Sequence, residues 1–262
     1  MKKIFALILA SAMMLSLAAC GSKEEPQQEE KKVLTVGTSA DYPPFEFYTE
    51  SDEGRTIVGA DVKLAQYIAD ELGMELELID MGFDGLLGNL EADKFDLVIS
   101  GMSIKPGRKC VYSDPYFSAA QALLVPAGQE NSFSSLDELK GKKIGGQMGS
   151  LQEELATQYA GESAQIVANV QDMIMLVSEG KLDGMFCEGV VADSAAAKSD
   201  KVAVANLDIP TEENLVAVCA KEGNTELIEK VNTVVAKVVD QNLYGTWMTE
   251  FLDMEDAGKP EA

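Results

Sequence analysis

The sequence predicts a two-lobed α/β fold, and three observations lead there. Short β-prone runs alternate with amphipathic helical stretches from residue 32 to about residue 251, the pattern of an α/β protein with a largely parallel sheet. A second, similar series starts near Gln121, and the last segments return to the first. Roughly 220 ordered residues in two units fit ordinary domain sizes. No internal sequence repeat is visible.

Residues 33–38, VLTVGT, read as the first strand. Asp61 begins a helix with apolar positions Val62, Ala65, Ile68, Ala69 and Leu72, all on one face, and Gly73 closes it. A strand over 75–79, a short helix over 83–92 and a strand over 95–99 complete the first series. The second series reads as strand 122–125, short helix 136–140, strand 142–146, helix 150–159, strand 165–168 and helix 171–179 closed by Gly180. Strands 183–187, 202–204 and 215–219 follow, then a long helix over 225–241 and a final one over 246–251. The chain is expected to cross between lobes near 116–121 and 214–218. This gives lobe 1 as 33–117 plus 219–254, lobe 2 as 121–214, and a tail at 255–262.

The N-terminus bears on the compartment. Lys2 and Lys3 precede an apolar run over 4–17 that is too short and wrongly flanked for a spanning helix. It ends in Leu17-Ala18-Ala19-Cys20-Gly21, which resembles the lipobox of bacterial lipoproteins. The resemblance implies that residues 1–19 are a signal peptide and that Cys20 is lipidated; an ordinary secretory peptide is the alternative. Residues 20–32 would be the lipidated cysteine and a solvated tether of Glu, Gln and Lys. Two acyl chains on Cys20 would anchor the protein stably where one would not.

The chain carries a net charge of −23, and loss of residues 1–19 with their two lysines makes it −25. Such a surface repels nucleic acid and anionic head groups. There is no histidine, which excludes His-dependent triads and His metal sites. After Cys20 only Cys110, Cys187 and Cys219 remain. They fit neither a disulfide framework nor a zinc site and read as small core residues, with one pair possible. No cofactor or metal is expected.

Four segments carry chemistry. In 95–117 a short apolar strand breaks into Ser100-Gly101-Met102-Ser103, with Arg108 five residues on. Small residues at the end of a buried strand leave N–H groups and hydroxyls facing the space where α/β proteins bind ligands. Arg108 adds the planar fork best matched to a carboxylate. A turn followed by a solvated arginine is the other reading. In Asp41-Tyr42-Pro43-Pro44-Phe45-Glu46 two prolines brace a loop that displays Tyr42 between two acids, suited to an organic cation or amine; its aromatics could equally cover the core edge. Phe83 is either a core aromatic at a helix start or a second pocket wall. Gly145 to Glu153 runs a strand into a helix beginning at Ser150. Ser150 and Glu153 form a capping box, and the same glycine-flanked helix start is a ready anion site. Gln147, Leu151 and Gln152 lie at this start. Glu188 ends a predicted strand, where it would receive an ammonium or merely add surface charge.

Together these segments resemble the family 3 solute-binding proteins, the extracytoplasmic receptors of polar amino-acid ABC transporters. The resemblance rests on VGTSADYPPFEF, VGADVKLAQYIADELG, FDGLLGNLEADKFDLVISGMSIKPGRK, YSDPYF, LDELKGKKIGGQMGS and YGTWMTEF, in the family's order. It implies a periplasmic-binding-protein-like fold of type II, with two hinge crossings and a cleft that closes over one amino acid. Tyr42 and Phe83 would wall the ligand side chain. Gly101, Ser103, Arg108 and the Ser150 helix start would bind the α-carboxylate, and Glu188 the ammonium, where the family more often has Asp. Ser39 stands where many members have Asp, and Leu151 where Thr, Ser or Gly is usual. The chain also runs about two residues short between Arg108 and Ser113.

The implied protein is a lipid-anchored monomer outside the cell membrane that captures a free polar L-amino acid and delivers it to a permease, without catalysis. Ser100 and Met102 join the expected ligand contacts as neighbours of Gly101 and Ser103, and Asp41 and Glu46 as candidates to favour a basic side chain. A dehydratase of cyclohexadienyl or arogenate type on the same scaffold is the rival. A ligand-sensing module is a weaker third reading, because no transmembrane or signalling segment follows Phe251.

Overall fold

The computed structural model describes residues 32–51, 54–210 and 214–257. The expected signal peptide, Cys20, most of the expected tether and most of the expected tail lie outside them. Among the described residues no helix is long and apolar enough to cross a membrane.

The chain opens with β1 (Val33–Thr38), then β2 (Asp41–Tyr42), β3 (Glu46–Ser51) and β4 (Gly54–Val58). Helix α1 (Ala60–Glu71), β5 (Glu75–Asp80), α2 (Phe83–Glu91), β6 (Leu97–Val98) and β7 (Cys110–Tyr112) follow. After the first crossing, β8 (Phe117–Ser118), come β9 (Gln121–Pro126), β10 (Ile144–Gln147), α3 (Leu151–Ala160), β11 (Gln165–Val167) and α4 (Val170–Ser178). Then come β12 (Gly184–Glu188), α5 (Gly189–Lys198) and β13 (Val202–Val204). The return crossing β14 (Leu215–Val216) leads to β15 (Cys219–Lys221), α6 (Thr225–Asp240) and α7 (Leu243–Ala257). Segment 136–139 is a 3-10 turn.

Two five-stranded sheets form the lobes, ordered β5-β1-β6-β15-β7 and β11-β10-β12-β9-β13. The expectation of largely parallel sheets needs one correction. In each sheet one strand opposes the rest: β15 is antiparallel to β6 and β7, and β9 to β12 and β13. Each opposing strand is the one that enters directly from a crossing, so its reversed direction follows from the chain's path between lobes. The two lobes therefore repeat one topology with no visible sequence repeat.

The crossings pair with each other, Ser118 with Leu215 and Phe117 with Val216. The expected single strand over 215–219 is broken because Val216 belongs to this hinge ladder while Cys219 joins the first sheet. Helix α7 packs on α1 and α6 of the first lobe and on α5 of the second. Its Phe251 meets Phe47 edge-on, and Tyr244 stacks obliquely on Tyr116 at the hinge.

Two elements arise where the sequence suggested loop. The Pro-braced segment folds as a three-stranded sheet, β2-β3-β4, and residues 189–198 form α5. The strand expected over 95–99 forms ladder only at Leu97–Val98. Cys187 and Cys219 are buried, Cys110 is half-buried, and all three are free thiols. Cys110 and Cys219, diagonal neighbours across β7 and β15, are in hydrogen-bond contact.

Candidate functional site

Both sheets turn the C-terminal ends of their parallel strands toward the space between the lobes. Strand β1 ends beside Ser39, β6 beside Ser100, β10 at Gln147 and β12 at Glu188. Ligands bind outside such strand ends because the loops there expose unpaired backbone groups. Among the described residues thirteen line this cleft, drawn from both lobes. They include every predicted ligand-binding residue except Met102, which is fully buried in the core behind α2. The space they enclose is about 10 Å³, room for no more than one water. The lobes stand closed on their own side chains.

On the first lobe, Ser100 Oγ accepts from Ser39 N–H (3.0 Å) and donates to Glu46 Oε1 (2.7 Å). Gly101 turns at φ +53, and a Cβ there would sit 3.4 Å from the Tyr42 ring. Arg108 folds back so that one nitrogen donates to Ser103 O (2.7 Å) and contacts Met102 Sδ (2.8 Å). The other reaches across to Gly149 O of the second lobe (2.8 Å). Phe83 serves both readings offered by the sequence. It packs in the core and lines the cleft, with the Arg108 guanidinium 6.0 Å from its ring centre. Tyr42 stacks on Phe45 at 5.6 Å.

On the second lobe, Ser150 is the N-cap of α3 rather than its first residue, and its hydroxyl accepts from Glu153 N–H (3.2 Å). The Glu153 carboxylate answers on Gly149 N–H, so the capping box closes one residue early. Gly149, at φ +81, brings the loop so near Asp84 of the first lobe that a Cβ would lie 3.2 Å from its Cα. Gln152 donates to Gln121 Oε1 (2.9 Å), and Gln147 to Ala168 O (3.3 Å). Gln121 Nε2 is buried without a partner.

Bonds between the lobes latch the cleft. The Tyr42 hydroxyl donates to Glu188 Oε2 and accepts from Glu188 N–H. Asp41 Oδ2 accepts from Val170 N–H (2.7 Å) at the start of α4, and Asp41 O accepts from Gln171 Nε2 (3.0 Å). An acid at a helix N-terminus is favoured by the free N–H groups there. Lys105 pairs with Glu154 at 2.8 Å.

The electrostatics are lopsided. Burial raises the carboxyl of Asp41, pushes Glu188 up to about 7, and raises Glu46 well above the usual carboxylate range, with the neighbouring Asp61 adding to Glu46. Asp61, in the first turn of α1, was read from sequence only as a helix start. It is 1 % exposed and accepts from Gly101 N–H (2.6 Å), Tyr116 Oη (2.9 Å) and Tyr244 Oη (2.5 Å). Glu46 meets Asp61 in hydrogen-bond contact, yet its Oε2 finds no N–H or O–H donor. Asn214, on the return crossing, donates to Glu188 Oε1 (3.2 Å). Sequence reasoning missed Asp61, Tyr116, Tyr244 and Asn214. The one local signal was an acid set among apolar residues at the buried start of a helix.

The pH dependence of Glu188 is testable. A carboxyl raised in the folded state costs stability as pH climbs from its unfolded value, near 4.5, to about 7. Glu188→Gln should be close to the wild type in stability near pH 5 and exceed it near pH 8, by about 3 kcal/mol at most. Calorimetry at both values checks this, and a gap that ignores pH would sink it.

Among the described residues no group of three His, Cys, Asp or Glu could hold a metal. The profile of the bacterial extracellular solute-binding proteins, family 3, matches residues 34–253. The chain is 33 % identical to the arginine-binding extracellular protein ArtP of Bacillus subtilis, over 95 % of this chain and 99 % of that one. It is 31 % identical to the L-cystine-binding protein TcyJ of Escherichia coli, covering 80 % and 79 %. The crystal structure of the Streptococcus pneumoniae amino acid ABC transporter substrate-binding protein AbpA bound to L-arginine superposes with a TM-score of 0.82, at 30 % identity, covering 85 % and 95 %. With two lobes of matched topology, paired crossings and a polar cleft between them, the chain belongs to the bacterial extracellular solute-binding proteins, family 3.

Proposed function

We propose that this protein captures a cationic L-amino acid, with L-arginine the first to test, and presents it in the closed state to an ABC permease without covalent chemistry. One observation carries the choice of charge. Among the described residues, Asp41, Glu46 and Glu188 share the cleft with a single cation, Arg108. A neutral amino acid brings one carboxylate for Arg108 and one ammonium for Glu188, and offers no cation to Asp41 or Glu46. A basic side chain supplies the missing positive charge. The relatives named for arginine agree with this.

In this reading Arg108, Ser103 and the N–H groups at the start of α3 hold the α-carboxylate, and Glu188 exchanges Tyr42 for the ammonium. Tyr42 and Phe83 flank the side chain. The lobes, 33–117 with 219–254 and 121–214, rotate about the β8–β14 ladder. A ligand that touches both favours closure by its differential affinity for the closed state. Lipidation of Cys20 would hold a monomer at the outer face of the cell membrane.

The test is a thermal-shift screen of the twenty amino acids, followed by calorimetry. Arginine or lysine should raise Tm most. Preference for a neutral or acidic amino acid would remove the charge argument, and no response to any would remove the receptor reading.

A further inference from the structure

Glu46 and Asp61 are two carboxyls, each 1 % exposed, in mutual contact at the cleft floor. Two bare carboxylates do not share such a space, since like charges out of water force one to hold a proton. The donors are unevenly divided. Asp61 receives three, from Gly101, Tyr116 and Tyr244. Glu46 receives only Ser100, on Oε1, and its buried Oε2 is orphaned unless it carries the proton itself. Three donors stabilise the anion on Asp61, so the proton belongs on Glu46 and points at Asp61.

We propose that Glu46 and Asp61 share one proton in the ligand-free protein and that a cationic side chain entering the cleft expels it. Glu46 thereby ties the ligand's charge to proton release. The inference rests on the cationic-ligand reading above. Glu46 lines the cleft whereas Asp61 does not, so the ligand meets Glu46 first. A guanidinium or ammonium laid against Glu46 supplies the charge the proton supplied. The Glu46 O–H bond breaks and the proton passes to solvent. A neutral amide brings no such charge and leaves the proton in place.

The surroundings favour this exchange. The groups acting most strongly on Glu46 are Asp61 from α1, Ser100 after β6 and Asp41 from β2, none of them cationic. Tyr116 before the first crossing and Tyr244 of α7 face the pair with hydroxyls already committed to Asp61. Arg108 and Glu188 line the same cleft. Glu188, pushed up by burial to about 7, adds proton release common to every amino acid because it takes the ammonium. Only the Glu46 contribution separates cationic from neutral ligands.

The test measures protons. Calorimetry with L-arginine near pH 8, in buffers of different ionisation enthalpy, counts those released on binding. Wild type should release close to one proton more than Glu46→Gln, whose amide still donates to Asp61 and accepts from Ser100. Equal counts would overturn the expulsion. Infrared spectra of the ligand-free protein near pH 8 form the second arm. A protonated-carboxyl C=O band should be present in the wild type and lost in Glu46→Gln, and its absence from the wild type would overturn the shared proton whatever the ligand. If the band is present and arginine does not bind, the cationic-ligand reading and the expulsion fall together while the shared proton stands. If arginine binds with equal proton counts, only the expulsion falls.

Discussion

Replacing Arg108 by alanine should cost two to four orders of magnitude in affinity for the captured amino acid. Among the described residues the guanidinium is the only cation lining the cleft, and its planar fork can give a carboxylate two parallel charge-assisted bonds. Each is worth about 1.5–3 kcal/mol, and about 1.4 kcal/mol is a factor of ten. Arg108 also donates across the cleft to Gly149 O, so its loss removes a bond that favours closure even before ligand arrives. Arg108→Lys keeps the charge and loses the fork, and should fall between the two. Folding should change little, since the side chain is only partly buried and its other partner, Ser103 O, lies at the cleft edge. Calorimetric titration of both variants decides the matter. Affinity within threefold of wild type in Arg108→Ala would mean that another group holds the carboxylate.

What the sequence disclosed depended on whether the signal was local. Helix α6 was legible because Ile228, Val231, Val234, Val235 and Val238 recur at helical spacing and are all buried. Cleft residues such as Ser100, Gln147 and Glu188 were legible because they sit at or just after a strand end. Helix α5 was not, since Ala-rich GVVADSAAAK carries no clear apolar stripe. The β2–β4 sheet was hidden by Pro43 and Pro44, which read as loop, although its strands lie on either side of them. The direction of β9 and β15 is set by the crossings before them, which no local pattern encodes. The least legible feature was the buried acid pair. The pair, at positions 46 and 61, and the tyrosines that bond Asp61, at 116 and 244, are far apart in sequence, and only the folded chain brings them together.

That distance in sequence makes Asp61 the residue whose loss should damage the fold most. Asp61→Ala strands the Tyr116 and Tyr244 hydroxyls and the Gly101 N–H in a place water does not reach. It also leaves Glu46 Oε2 with no partner at all. A buried donor without an acceptor costs about 1–3 kcal/mol, so a total near 3–5 kcal/mol is expected. For a domain of this size that corresponds to a fall in Tm of roughly 10 °C. Asp61→Asn keeps one acceptor oxygen and should lose less than half as much. The ligand should feel the change too, because Gly101 is held in its left-handed turn by the Asp61 carboxylate and abuts Tyr42. Affinity should therefore drop in Asp61→Ala at temperatures where the variant is still folded. A Tm within about 3 °C of wild type would show that the two tyrosines and Gly101 find other acceptors. It would also show that the acid pair is not what fixes the hinge to the cleft floor.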